Sequence, residues 1–277
     1  MSVRRRAPAF HVLDAFGVDR GSLHPLEGGQ NHTWRAEDMV LRAGVEPRMV
    51  AWLGHVAERV DAGELLRLAS PVRARDGRWV VGGWGATTWQ AGVARPDCAD
   101  ALLPVAADLE RALASADLEW PGFLRARTDA TAAADRVAWG EEPLPRFARR
   151  ETAALLERLE PVLRRPRNGA PAQVVHANLA INVLFDEEGV LPPAVIDLAP
   201  LWRPAGFGAA VALADAIARH GARSDAAVAL VAADDGRADL LARAVAFRVV
   251  ANPGDVERYA PVAEIALRES AARSHLT

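Results

Sequence analysis

The sequence contains no lysine: all 33 basic residues are arginine. Any task that elsewhere falls to an ammonium falls here to a guanidinium, a flat fork that stays protonated, or to nothing. Cys98 is the one cysteine, which excludes an intrachain disulfide and a cysteine-rich zinc site. A lone cysteine is most often a small buried hydrophobe. No apolar run is long enough to cross a bilayer. The basic start MSVRRRAPAF leads into no sustained apolar stretch, so no signal peptide is expected and the expected compartment is the cytoplasm. A net charge of −3 lacks the basic surplus of a nucleic-acid-binding face.

What is present is the composition of an ordinary globular chain, 51% hydrophobic and 25% charged over 277 residues, enough for one large domain or two lobes. Residues 8–16 have helical spacing and stop at a glycine. Residues 22–44 alternate polar and apolar around the Gly28-Gly29 pair and a turn at Glu37-Asp38, which predicts three short strands. Met49, Trp52, Leu53, Val56 and Val60 recur near a 3.6 period, which predicts a helix over 47–60. PVRARDGRWVVGGW reads as a hairpin turning at Asp76-Gly77. The first 90 residues thus form a small, mostly antiparallel sheet with a helix on it, and TTWQAG, 87–92, is the crossing to the rest. Helices are expected near 97–115, 129–139, 147–164, 204–220, 225–233, 236–251 and 255–272. The runs AQVVH, NVLF and AVID, too short for helices, are expected to be strands.

The chemistry concentrates in VVHANLAINVLF, 174–185, and in PAVIDL, which carries Asp197. His176, Asn178 and Asn182, followed by an apolar run and then an acid, have the order of a phosphoryl-transfer loop. Upstream, EGGQNHTW, 27–34, pairs glycines that let a backbone approach phosphates or, equally, make a tight hairpin. Arg42, ending MVLR, stands on the next strand, where its fork could pair phosphate oxygens or simply end a strand at the surface. An acidic partner for Arg42 is expected on the following helix, with Glu46 and Glu58 as candidates; Glu46 also suits the helix start.

These segments, in this order, resemble the aminoglycoside phosphotransferase and choline kinase superfamily, whose loop reads H-G-D-x-x-x-x-N before an apolar run and I-D. They are most similar to an actinobacterial branch with a shortened loop and an IDLSPYWRP-like stretch, here IDLAPLWRP. The resemblance implies a two-lobed, kinase-like α+β fold: an N-lobe over 1–90 and a mainly helical C-lobe over 91–277, with nucleotide between them. It implies ATP and Mg²⁺ as cofactors and a small hydroxyl compound as acceptor. Gly28, Gly29, Asn31, Arg42 and Glu46 would serve the nucleotide. His176 would brace the loop, and Asn182 and Asp197 would hold the metal.

Two departures bear on activity. Asn178 stands where the superfamily has the acid that orients and deprotonates the acceptor. The spacing from Asn178 to Asn182 is four, one shorter than usual. An amide accepts a hydrogen bond but takes no proton at neutral pH. The expectation is a phosphotransferase with weakened or lost catalysis, or a pseudokinase that senses nucleotide or binds another protein. Beyond the loop, Trp202 and Arg203 line an acceptor pocket or, more simply, form a packing corner. Asp215 is a candidate anchor for the loop. The acids of 234–239, Glu264 and Glu269 alternate with Arg237, Arg243 and Arg268, which predicts a solvated, salt-bridged face.

Overall fold

The computed structural model describes residues 7–26, 32–165, 171–232 and 236–274, with backbone alone at 232, 269 and 271–274. Two compact units divide the chain: Met1–Val93 with Leu184–Asp197, and Ala94–Val183 with Leu198–Thr277. The fold is α+β, with an antiparallel sheet near the N-terminus and a helical C-terminal region.

In the first unit, helix α1 (Phe10–Phe16) ends at Gly17, whose φ of 71° lets the chain close back on the last carbonyls. Strands β1 (Leu23–Pro25), β2 (Thr33–Ala36) and β3 (Met39–Ala43) follow, with Glu37 and Asp38 at the β2–β3 turn. After β4 (Arg67–Leu68) come β5 (Pro71–Val72), β6 (Val80–Val81) and β7 (Trp84–Thr88). The main sheet has the order β1-β2-β3-β7-β5, with β6 also on β7, and its pairs are antiparallel. Leu41 is fully buried beneath α1 with Val12, Leu13, Phe16 and Ala86. Strand alternation therefore turns Arg42 to the opposite face.

Helix α2 (Pro47–Arg59) starts where Glu46 accepts from the Arg48 and Met49 amides at 3.1 and 2.6 Å, with Pro47 preset for the first turn. The expected hairpin at Asp76-Gly77 is corrected. That pair makes a turn inside a loop, but β5 and β6 both pair with β7 rather than with each other. The tight hairpin is β6–β7 at Gly82-Gly83, whose φ values of 56° and 80° suit the twist of adjoining strands.

A second sheet has the order β4-β11-β10-β8, from β8 (Val93–Ala94), β10 (Val183–Phe185) and β11 (Ala194–Val195). β11 pairs in parallel with β4, and Arg67 donates to Pro192 O at 2.8 Å and to Ala91 O at 2.9 Å. These bonds tie Leu184–Asp197 to the first unit, whereas the sequence reading groups it with the second.

The second unit is built around α9 (Arg237–Ala251), packed by α5 (Ala130–Ala138), α6 (Arg150–Leu163), α7 (Phe207–His220), α8 (Asp225–Ala232) and α10 (Val256–Ser274). Phe207, Phe247 and Tyr259 are its largest fully buried side chains. α3 (Ala99–Ser115) packs on α7, and α4 (Gly122–Arg125) is a single turn. Cys98 is exposed just before α3, against the buried expectation, although the next residue, Ala99, is buried in the core. β9 (Ala172–His176) pairs with β12 (Pro200–Pro204), setting Pro200 opposite His176 and Trp202 opposite Val174. β12 is unexpected from sequence. Its prolines sit at both ends, the places in a strand where a missing N–H is best tolerated.

Candidate functional site

Arg42 and Asp197 come together across 155 positions of chain. Nη1 and Nη2 of Arg42 donate to the two carboxylate oxygens at 2.5 and 2.9 Å, a fork-to-fork pair on a half-exposed surface of the first unit. The Asp197 hydrogen bond raises the already high Arg42 pKa, against a smaller opposing effect of burial. Asp197 adopts φ of 50°, a left-handed conformation that Asp tolerates better than most residues and that recurs at functional sites.

The expectation that Glu46 or Glu58 pairs with Arg42 is corrected. Glu46 commits both oxygens to the α2 amides, the reward a carboxylate finds at any helix start. Glu58, near the helix end, accepts from Arg73 and meets His55. The carboxylate at Arg42 is Asp197 instead. Gly28, Gly29 and Asn31 lie outside the described residues.

In the second unit, the loop after β9 is held by its own side chains. His176, 1% exposed, accepts the Asn178 amide on Nδ1 at 3.0 Å, which leaves the ring proton on Nε2. Asn182, 6% exposed, donates Nδ2–H to Asn178 O at 2.7 Å, so Oδ1 is the atom it has for a cation. The Ala177 amide donates to Ala199 O, tying the loop to the segment before β12.

Beneath the loop runs a buried network that sequence reading only half foresaw. Asp215 on α7 accepts from Arg248 through both oxygens and from the Tyr259 hydroxyl at 2.6 Å. Arg248 then donates to Ala177 O at 2.8 Å and to Asn178 Oδ1 at 3.2 Å. Asp215 thus steadies the loop through Arg248. Burial, chiefly, and the nearby Asp215 charge push the Tyr259 hydroxyl pKa far up, so it stays a donor. The signal for Arg248 was a lone charge inside the apolar run AVAFRVV, which demands a buried partner.

The amide of Asn178 has a defined sense. A guanidinium only donates, so the group facing Arg248 must be Oδ1, and Nδ2 is turned away from Arg248. The atom of Asn178 left over, Nδ2, is a donor.

Glu110 of α3 was also missed. It is 7% exposed and accepts the Gly206 and Gly208 amides at 2.5 and 3.0 Å, capping α7 from another helix. Burial pushes its carboxyl pKa up, and the amide bonds offset only part of that. A Cβ at Gly208 would lie 2.8 Å from Glu110 and 3.2 Å from His176 O, so this junction admits only glycine without displacement.

The expected solvated, salt-bridged face holds at Glu264 and is corrected at Arg243. Arg243 is 4% exposed and donates to the carbonyls of Ala138, Val162, Leu163 and Arg165, closing the ends of α5 and α6. Glu264 pairs with Arg158, and Asp239 with Arg165. Asp234 and Asp235, and the Glu269 side chain, lie outside the described residues. Trp202 stacks on Trp120 at 5.8 Å, and Arg203, 5% exposed, is forked onto Asp135 at 2.8 and 2.6 Å.

Among the described residues no cluster of three or more His, Cys, Asp or Glu side chains could cage a metal. Mg²⁺ is commonly held by one or two protein oxygens plus phosphate oxygens. Asp197 in the first unit, engaged by Arg42, and Asn182 in the second each carry an oxygen of the type such a cation takes.

No family model and no curated protein matches the chain. Solved structures do. An aminoglycoside phosphotransferase from Alicyclobacillus acidocaldarius superposes with a TM-score of 0.62 at 14% identity, over 99% of this chain and 98% of that one. A thermostable mutant of aminoglycoside phosphotransferase APH(4)-Ia, in a ternary complex with AMP-PNP and hygromycin B, gives 0.59 at 16% identity, over 94% and 98%. Amicoumacin kinase hAmiN, with AMP-PNP, Ca²⁺ and Ami, gives 0.59 at 8% identity, over 94% and 92%. The chain has the kinase-like fold of these solved phosphotransferases.

Proposed function

We propose that the chain binds ATP with Mg²⁺ as a phosphotransferase-like protein directed at a small hydroxyl compound, and that its turnover is slow or lost. Arg42 pairs with phosphate oxygens, and Asp197 and Asn182 hold the metal, which when bound neutralises phosphate charge. His176 braces the loop and Asn178 positions the acceptor. The fold shared with nucleotide-bound small-molecule kinases supports the class. The observation that carries the loss is the Arg248 contact. It holds Asn178 Oδ1, so Nδ2–H can position an acceptor oxygen but nothing at this position can take its proton. General-base help is worth about 10²–10⁴-fold, while charge neutralisation and positioning supply most of phosphoryl transfer.

A second reading, a nucleotide-sensing pseudokinase, draws on the same contact and on the Arg42–Asp197 pair, which an arriving nucleotide would exchange for phosphate and metal. Thermal shift with ATP and Mg²⁺ tests nucleotide binding. ATP consumption by wild type and Asn178→Asp separates the enzyme from the sensor: a strong gain marks an intact site lacking its base, and binding without gain marks the sensor.

A further inference from the structure

The second unit carries a cavity of about 310 Å³, near the lower end of small-molecule sites, that no step above uses. One wall is aromatic. Trp120 and Trp202, both half-buried, stack with centroids 5.8 Å apart and planes 26° from parallel. Trp202 lies on β12, two residues beyond Pro200, which pairs with His176. The cavity wall and the loop therefore share one two-stranded ladder.

The placement of the lining charges bears on the sign of the ligand. Arg203 forks onto Asp135, and its remaining donors reach Glu141 at 2.7 and 3.1 Å. Both carboxylates of the floor thus have their oxygens engaged by one buried guanidinium, whose single charge they share. At the rim, Arg127 is held by Asp129 at 2.7 and 3.0 Å and Arg136 by Glu142. Arg125 differs. It is exposed, its one hydrogen bond among the described residues is to Trp120 O at 3.3 Å, and no carboxylate of the described residues pairs with it. The cavity lining thus carries two binding features: the half-buried indole of Trp202 and the exposed Arg125 fork, which pairs with no carboxylate of the described residues.

We propose that this cavity binds the small acceptor, and that the acceptor is a flat-ringed compound bearing an anionic group rather than a polyamine or quaternary amine. The ring lies against Trp202, and a carboxylate or phosphate pairs with Arg125. Assignment as the acceptor rests on the phosphotransferase-like reading; binding itself does not.

The test uses a matched pair with the same ring and hydroxyl, 4-hydroxyphenylacetate and tyramine, with indole-3-acetate and phenyl phosphate as further anions. Affinities are measured on the full chain by protein-observed NMR or calorimetry. At least one anion should bind, and tyramine should bind at least about tenfold more weakly than 4-hydroxyphenylacetate. Arg125→Gln, at an exposed position, should weaken the anions about tenfold or more and leave thermal stability unchanged. Trp202→Ala should weaken all ring probes. Equal or tighter tyramine binding overturns the charge assignment. Failure of all three anions up to about 10 mM, or binding indifferent to Arg125→Gln, overturns the site. ATP binding is followed separately: its absence defeats the phosphotransferase reading while leaving the cavity's own result standing.

Discussion

Arg248 reaches one carboxylate and one carboxamide at once, holding Asp215 and donating to Asn178 Oδ1 at 3.2 Å. The residue that stabilises the floor of the loop thereby decides which atom of Asn178 remains available. Asn178→Asp would keep the oxygen facing Arg248 and turn a second oxygen to where Nδ2 now lies. We expect ATP consumption to rise about 10²-fold or more in a coupled assay, within the range of general-base help.

Arg248 and Asp215 are a buried ion pair whose rupture leaves an uncompensated charge. Arg248→Met should cost about 3–5 kcal/mol in denaturant unfolding. Asp215→Asn with Arg248→Met should recover part of that loss, because neither side is then left charged. Hydrogen exchange at Ala177 and Asn178 should quicken in both, since the loop loses its Arg248 donor in each.

The Arg42–Asp197 pair is half exposed, so it contributes little to folding, about 1 kcal/mol or less. Arg42→Gln should leave the melting temperature nearly unchanged. It should raise affinity for Mn²⁺ alone, because Asp197 is freed, while lowering affinity for ATP with Mg²⁺ at least about tenfold. Paramagnetic titration and calorimetry read the two effects separately.

Glu110 gives a pH signature of unusual sign. Its folded-state pKa lies above the unfolded value because burial disfavours the charge. The folded chain therefore holds more protons than the unfolded chain between the two values. Stability from this group is present below the ordinary glutamate range, about 4.3, and falls as pH rises through the raised value. Most paired carboxylates act oppositely and lower down, as at Asp129, where Arg127 depresses the pKa. The wild-type minus Glu110→Gln difference in unfolding free energy should decline with rising pH across that window.

Much of this architecture was legible in the sequence, and the rest was hidden for physical reasons. Periodicity located α2 and α6 to within a few residues, because an amphipathic pattern is local. Two-residue strands such as β4 and β8 carry no period at all. β12 was masked by its prolines. The partner of Arg42 was misassigned because a pair separated by 155 positions leaves no local trace, whereas Glu46 had a local use as a helix cap. Arg243 and Arg248 look like surface charges in a count of signs. Only their flanking apolar residues reveal burial, and nothing in the sequence names the carbonyls they meet.

The central claim is that Arg42 and Asp197 are exchanged from one another onto a metal–nucleotide ligand. Calorimetry of ATP against the wild type, with Mg²⁺ and with excess chelator, tests it most directly, beside Asp197→Asn. The account predicts binding that Mg²⁺ strengthens in the wild type and that loses its Mg²⁺ dependence in Asp197→Asn. No ATP binding by the wild type under either condition, or an unchanged Mg²⁺ dependence in the variant, would contradict it.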